Sequence, residues 1–384
     1  MENFRLYIPV KYYFGRGQIS HLKQLCEPYE SILLVYGGGS IKRNGVYDAV
    51  MNELKGKKVT ECPGVEANPS VETVERGIAL LKENHCALVI AAGGGSVMDA
   101  AKAICAGACW DGDVWDMVTH PKDIEKSLPL ITIPTAAATG SELNSTSVIS
   151  NHAQKKKNGF VSDALYPIAA IADPTYTFSV SARQTRAGAA DTMSHIMEDY
   201  FKPGFDDPIA DGIAEALLRT VIHALPIALK EPDNYDARAD LLYASSIGIK
   251  TVTQYGKRGE WSCHGISHAL TAYYGVNHGE SLAIITPAWM EQVLCPDTEE
   301  RFVRFGTNVF HLDHPTGQES IHALKQFFKE NGLPQDLRAL GVEDTSAFKA
   351  IAHELAETRD YTKTFYPLTE EDLLAILNRS EDDG

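Results

Sequence analysis

A chain of 384 residues is too long for one ordinary hydrophobic core and long enough for two domains. With 44% apolar and 22% charged residues and no low-complexity tract, it reads as globular from near Phe4 to about Leu377. A net charge of −16 argues against nucleic acid or an anionic membrane as partner, because phosphate surfaces reward clustered Lys and Arg. No uninterrupted apolar run of about 18 residues suggests a membrane span, and no secretory pattern opens the chain, so a cytoplasmic protein is expected. The seven cysteines are scattered without a Cys-x-x-Cys pair, which suggests neither a disulfide framework nor a zinc ribbon.

From Ser31 to Ala172, short aliphatic runs alternate with helical stretches, the pattern of a parallel sheet with crossover helices. Ile32 to Val35 reads as a strand, Gly45 to Leu54 as a helix and Lys58 to Glu61 as a short strand. Val71 to Asn84 follows as an amphipathic helix with Ser70 as its cap. Ala87 to Ala92 is apolar throughout, as a strand covered on both faces requires, and Leu130 to Ile133 and Ala169 to Ile171 complete the set. After Asp173-Pro174 the texture changes to Ala-rich helical spacing. The expectation is an α/β domain over 1–180 and an all-α domain over 181–384.

Two glycine turns stand at the ends of successive strands. Gly93-Gly94-Gly95-Ser96 opens a helix over Val97 to Ala106, where backbone N–H groups can face a pyrophosphate without interference from a Cβ. Gly37-Gly38-Gly39-Ser40 follows the first strand and is trailed by Lys42 and Arg43. An acid in such a place holds an adenosine ribose and repels a 2′-phosphate; its absence, with cations close by, favours NADP(H), with NAD(H) as the alternative. A third element, Thr135 to Glu142, is a hydroxyl-rich turn directly after Leu130 to Ile133. Either turn chemistry alone or a ligand crevice accounts for it.

The second half carries a concentration of metal-ligand types. Asp191 and His195 lie four apart on a helix predicted over Ala187 to Tyr200, so both side chains leave one face. His264, His268 and His278 fall within fifteen positions of one another. Imidazoles with one carboxylate suit Zn²⁺ or Fe²⁺. Spacing leaves five candidates for four places.

Together these segments resemble the iron-dependent (group III) alcohol dehydrogenases, in the branch of butanol dehydrogenases and NADPH-dependent aldehyde reductases. The resemblance rests on Phe14-Gly15-Arg16-Gly17, the two glycine turns, Met98-Asp99-Ala100-Ala101-Lys102, Ala138 to Glu142, Asp191 to His195, and Trp261-Ser262-Cys263-His264 through His278-Gly279-Glu280. It implies a dehydroquinate synthase-like fold, with a dinucleotide-binding half, a helical half and a metal in the cleft between. The metal ligands carried over are Asp191, His195, His264 and His278, which leaves His268 a catalytic place beside the nicotinamide. The cofactor contacts implied are Gly37, Gly38, Gly39 and Ser40 near the adenosine phosphate, Gly94, Gly95, Ser96 and Asp99 at the pyrophosphate, and Thr135, Thr139 and Lys157 further along. Ala187-Gly188 departs from the Asn-Gly that relatives commonly carry there.

The activity implied is metal-assisted hydride transfer between NADP(H) and a small or medium aliphatic alcohol or aldehyde, by a homodimer. The rival on the same scaffold is a metal- and NAD-dependent lyase of the dehydroquinate synthase type. It requires several Lys and Arg around the site for a phosphorylated, carboxylated substrate, and the metal motifs are poor in them.

Overall fold

A computed structural model describes residues 3–202, 207–249, 252–254 and 260–382. The chain divides into two compact units. One comprises Tyr7–Ser181 with Glu231–Ser246, and the other Ala182–Lys230 and Ile247–Gly384 with the first residues up to Leu6. The sequence reading assigned all of 181–384 to the helical half. Glu231–Ser246 instead packs with the α/β unit, and most of it is a helix, Tyr235–Ile247, with little amphipathic signal of its own.

The α/β unit is built on six parallel strands: β1 (Lys11–Phe14), β2 (Ser31–Tyr36), β3 (Lys58–Cys62), β4 (Leu88–Gly93), β5 (Leu130–Pro134) and β8 (Ala169–Ala172). Their order across the sheet is β1-β8-β5-β4-β2-β3. A separate antiparallel hairpin, β6 (Thr146–Asn151) and β7 (Lys156–Val161), lies outside that sheet. Successive side chains of β2 and β4 feed opposite cores, as the two-residue strand period demands. Leu33, Val35, Val89 and Ala91 pack on one face with the helices Val71–Glu83 and Gly95–Gly107, whereas Ile32, Leu34, Ile90 and Ala92 pack on the other with Val46 and Val50. Ser70 caps the first of those helices, its hydroxyl accepting from the Thr73 N–H at 3.3 Å.

β2 and β4 are neighbours, yet the chain leaves β2 toward β3 and leaves β4 toward β5 on the other side. Strand order therefore reverses between them, the place where open α/β sheets bind ligands at the carboxyl ends of their strands. Both glycine turns open there.

Among the described residues, all elements of the helical unit are helices. Asp191 and His195 lie on Ala182–Tyr200, His264 and His268 on Ser262–Tyr274, and His278 opens His278–Val293. By length and composition alone, Pro208–Lys230 would suit a membrane crossing. Its Ala214, Leu218, Val221 and Leu225 are buried, and Asp211 and Glu215 are ion-paired with Arg301 and Arg304, which is how a core helix of this unit is used.

Candidate metal centre and cofactor turns

In the helical unit three imidazoles converge on one carboxylate oxygen. Oδ1 of Asp191 lies 3.5 Å from Nε2 of His195, 3.6 Å from Nε2 of His264 and 3.6 Å from Nε2 of His278. Ligand atoms held about 2.0–2.2 Å from one tetrahedral ion stand about 3.3–3.6 Å from each other, so these separations fit a shared divalent cation. Asp191, His195 and His264 are buried, and Nε2 of His264 has no hydrogen-bond partner. A buried polar atom without a partner is costly, and a metal bond removes that cost. His278 closes the set from the more open side, its side chain 21% exposed.

Two of the candidate ligands, His264 and His278, are aimed by hydrogen-bonding partners. Glu198, one turn beyond His195 on the same helix, contacts Nδ1 of His264 with one carboxylate oxygen, and its other oxygen accepts the His264 N–H at 3.1 Å. Such a carboxylate fixes the ring orientation and tautomer of a metal-binding histidine. Burial alone would lower the His264 pKa, but Glu198 and Asp191 together push it up to about 9 in the metal-free chain. The His195 ring stacks on that of His264 at 4.4 Å. Nδ1 of His278 meets the Ser267 hydroxyl at 2.7 Å, and that hydroxyl also contacts Ser281 at 2.6 Å.

The helix carrying His278 approaches the helix carrying Asp191 so closely that a Cβ on Gly279 would lie 2.1 Å from the Ala187 carbonyl oxygen. Only glycine permits that approach. Arg183 adds a fork of two 2.7 Å hydrogen bonds to the Glu280 carboxylate between the same helices. Ala187-Gly188, the departure from the family pattern, thus lies at the crossing that brings His278 to Asp191. His268, one turn past His264, has its ring 6.2 Å from that of His264 and 5.0 Å from that of His278.

In the α/β unit the three turns expected to face a dinucleotide stand at the carboxyl ends of β2, β4 and β5. Gly39 has φ +88°, the left-handed region, and starts the short helical turn Ser40–Arg43. Gly94 precedes the helix Gly95–Gly107, whose first N–H groups are available to an anion. The β4 and β5 turns touch: the Thr135 N–H donates to the Gly93 carbonyl at 3.0 Å, and a Cβ on Gly95 would lie 2.4 Å from Cγ2 of Thr139. Gly94, Gly95, Thr135 and Thr139 are therefore one surface.

Three of the residues implied by resemblance have internal partners. Asp99 accepts from the Ser141 hydroxyl at 2.7 Å and the Val148 N–H at 3.1 Å. The Ser96 hydroxyl donates to the Ala67 carbonyl, and Lys157 donates to Asn68 at 3.0 Å. The buried Lys102 ammonium, hydrogen-bonded to Ser141, Asn144 and Thr146, holds the chain that follows the β5 turn. Lys42, read from sequence as a cation for a 2′-phosphate, is paired with Glu61 at 2.9 Å. Sequence reasoning missed Glu198 and Glu61. Asp-x-x-x-His-x-x-Glu on one helix face was a usable signal for Glu198, whereas nothing local marked Glu61.

Residues 9–174 match the family described as iron-containing alcohol dehydrogenase, and 185–380 match the carboxyl-terminal part of the Fe-containing alcohol dehydrogenase family. NADH-dependent butanol dehydrogenase A of Clostridium acetobutylicum is 42% identical, covering 99% of this chain and 100% of that protein. The NADPH-dependent aldehyde reductase YqhD of Escherichia coli is 35% identical, covering 93% of this chain and 94% of its own. The crystal structure of NADH-dependent butanol dehydrogenase A from Thermotoga maritima superposes with a TM-score of 0.94 at 36% identity, covering 100% of this chain and 99% of that one. With both halves matched and relatives of this identity along nearly its whole length, the chain belongs to the iron-containing alcohol dehydrogenase family, and its homologues are NAD(P)-dependent alcohol dehydrogenases and aldehyde reductases.

Proposed function

We propose that this chain reduces small or medium aliphatic aldehydes to primary alcohols, and runs the reverse reaction, with Fe²⁺ or Zn²⁺ held by Asp191, His195, His264 and His278. The observation that carries the reading is the convergence of three imidazoles within 3.5–3.6 Å of one Asp191 oxygen. A divalent cation there supplies a Lewis acid for the oxygen of the alcohol or aldehyde. The chain's own part is to hold the ligands: Glu198 fixes His264, Ser267 fixes His278, and the Gly279 approach sets the spacing between helices. His268 is the nearby imidazole left for moving the proton that accompanies hydride transfer.

For the cofactor, the turns after β2, β4 and β5 are assigned to the adenosine ribose with its phosphate, the pyrophosphate and the nicotinamide side in that order. The loop Gly37–Ser40 has no acid to repel a 2′-phosphate, which supports acceptance of NADP(H). The relatives at 40–42% identity are named as NADH-dependent, which supports NAD(H). The reading adopted is a site that takes both.

The test is oxidation of NADPH and NADH with butyraldehyde, on protein stripped of metal and then reloaded anaerobically with Fe²⁺ or Zn²⁺. Stripping is expected to lower the rate at least roughly a hundredfold and reloading to restore it. No oxidation of either cofactor under any loading would overturn the reading and bring the lyase forward.

A further inference from the structure

Glu61 is the next-to-last residue of β3, beside β2 and in register with Leu34. The chain beyond it is tied to the first glycine turn, because the Gly64 N–H donates to the Gly37 carbonyl at 3.1 Å and the Val65 N–H to the Tyr36 carbonyl at 3.2 Å. Glu61 is thus fixed at the rim of the turn assigned to the adenosine ribose. Its carboxylate is gathered by three donors. The Tyr36 hydroxyl donates to Oε2, the Tyr47 hydroxyl to Oε1 at 2.6 Å, and the Lys42 ammonium reaches Oε2 at 2.9 Å. Lys42 also lies over both rings, 4.4 Å from the centre of Tyr47 and 5.1 Å from that of Tyr36. The hydroxyls of Tyr36 and Tyr47, with Lys42, hold the Glu61 carboxyl down to about 2 against the opposing effect of burial, so it is charged throughout the working range of pH.

We propose that Glu61 sets this chain's choice between NADH and NADPH, by holding Lys42 in an ion pair and so withholding from the Gly37–Ser40 turn the cation that a ribose 2′-phosphate requires. The proposal rests on the reading that this turn receives the adenosine ribose. A 2′-phosphate brings close to two negative charges. To engage Lys42 it must draw the ammonium from a carboxylate and two aromatic faces, and must itself approach the carboxylate left behind. Both effects penalise NADPH, and neither acts on the 2′-hydroxyl of NADH. An acid that discriminates from the neighbouring strand thus replaces the acid missing from the loop.

The experiment is fluorescence titration of NADPH and NADH against the full chain at one fixed ionic strength, for wild type, Glu61→Gln, Lys42→Met and the double variant. Thermal melts without cofactor check folding. In Glu61→Gln the ratio of the NADH to the NADPH dissociation constant is expected to rise about tenfold, because Lys42 is released and a repelling charge removed. The double variant should lose most of that rise, and Lys42→Met alone should leave the ratio within about twofold of wild type. An unchanged ratio in Glu61→Gln overturns the proposal. So does a tenfold fall in the ratio for Lys42→Met alone, because Lys42 would then already serve the phosphate; this arm stands even if Glu61→Gln fails to fold, since Lys42 is an exposed side chain. Failure of the wild type to bind either cofactor would instead overturn the cofactor reading itself, and the proposal with it.

Discussion

The metal centre and the cofactor turns are built on opposite principles. In the helical unit the candidate site is made of side chains, the four proposed ligands coming from three helices, with His264 gripped by Glu198 and His278 by Ser267. In the α/β unit it is made of main chain, where glycines leave room for an anion and the surrounding side chains mostly bind one another, as Asp99 binds Ser141 and Lys42 binds Glu61. The first kind of site depends on which atoms are present. The second depends on which are absent. Deleting atoms should therefore damage the metal centre most, and adding them should damage the turns.

The largest effect is expected in the metal centre. His264→Ala removes a ligand and should abolish metal retention and turnover together, read by metal analysis after dialysis. Glu198→Ala keeps all four ligands but frees the His264 ring, and should weaken metal affinity about 10- to 100-fold. If Glu198→Ala retained metal as wild type does, the gripped-ligand half of the comparison would fail.

Adding one methyl group probes both regions. Gly279→Ala would set a Cβ 2.1 Å from a main-chain oxygen, which no side-chain rotation can relieve. The two helices must separate, and His278 should leave Asp191, with metal affinity lost and stability lowered by about 1–3 kcal/mol. For Gly95→Ala the nearest atoms are those of the Thr139 side chain, the first 2.4 Å away, and none of these is main chain. It should retain metal yet raise the KM for both cofactors about tenfold, and Thr139→Ser in the same chain should recover part of that loss. Equal effects of the two substitutions on metal content would erase the distinction between the regions.

How much of this was legible in the sequence follows from the same contrast. β2, β4, β5 and β8 announce themselves as apolar runs because both faces of the sheet are covered. β1 was missed because Lys11-Tyr12-Tyr13-Phe14 is a four-residue edge strand, half exposed, with no apolar run. The β6–β7 hairpin was missed because Lys156-Lys157-Asn158-Gly159 reads as a solvated turn, although only its tip, with Lys155 at φ +51°, is one. Histidine and aspartate betrayed the metal centre by type, but the spacing of His264, His268 and His278 did not say which of them meet Asp191. That is decided by the crossing at Gly279, a tertiary contact. The Lys42–Glu61 pair is 19 residues apart with the helix Val46–Glu53 between, so a cation beside a glycine turn looked available when its partner was already fixed.

A smaller effect separates the metal centre from its own support. Glu260 is buried beside Glu198, whose carbonyl accepts the Glu260 N–H at 2.8 Å, and its carboxyl receives the Ser262 hydroxyl and the Phe365 N–H. Burial, reinforced by the Glu198 charge, outweighs those donors and pushes its pKa from 4.5 up to about 8. Between these values the folded chain holds a proton that the unfolded chain has released. Stability from this group is therefore complete below pH 4.5 and is lost as pH rises through 8. Glu260→Gln carries no titrating proton, so its melting temperature should decline less than that of wild type between pH 5 and pH 8, by a few degrees at about the size of one buried group. Parallel slopes for the two proteins would mean that Glu260 is ionised in the fold, with its charge balanced by the donors of Ser262 and Phe365. In that case the acids behind His264 would form a doubly charged cluster, and Glu198→Ala would relieve repulsion as well as loosen a ligand, which would make its expected loss of metal affinity the smaller end of the stated range.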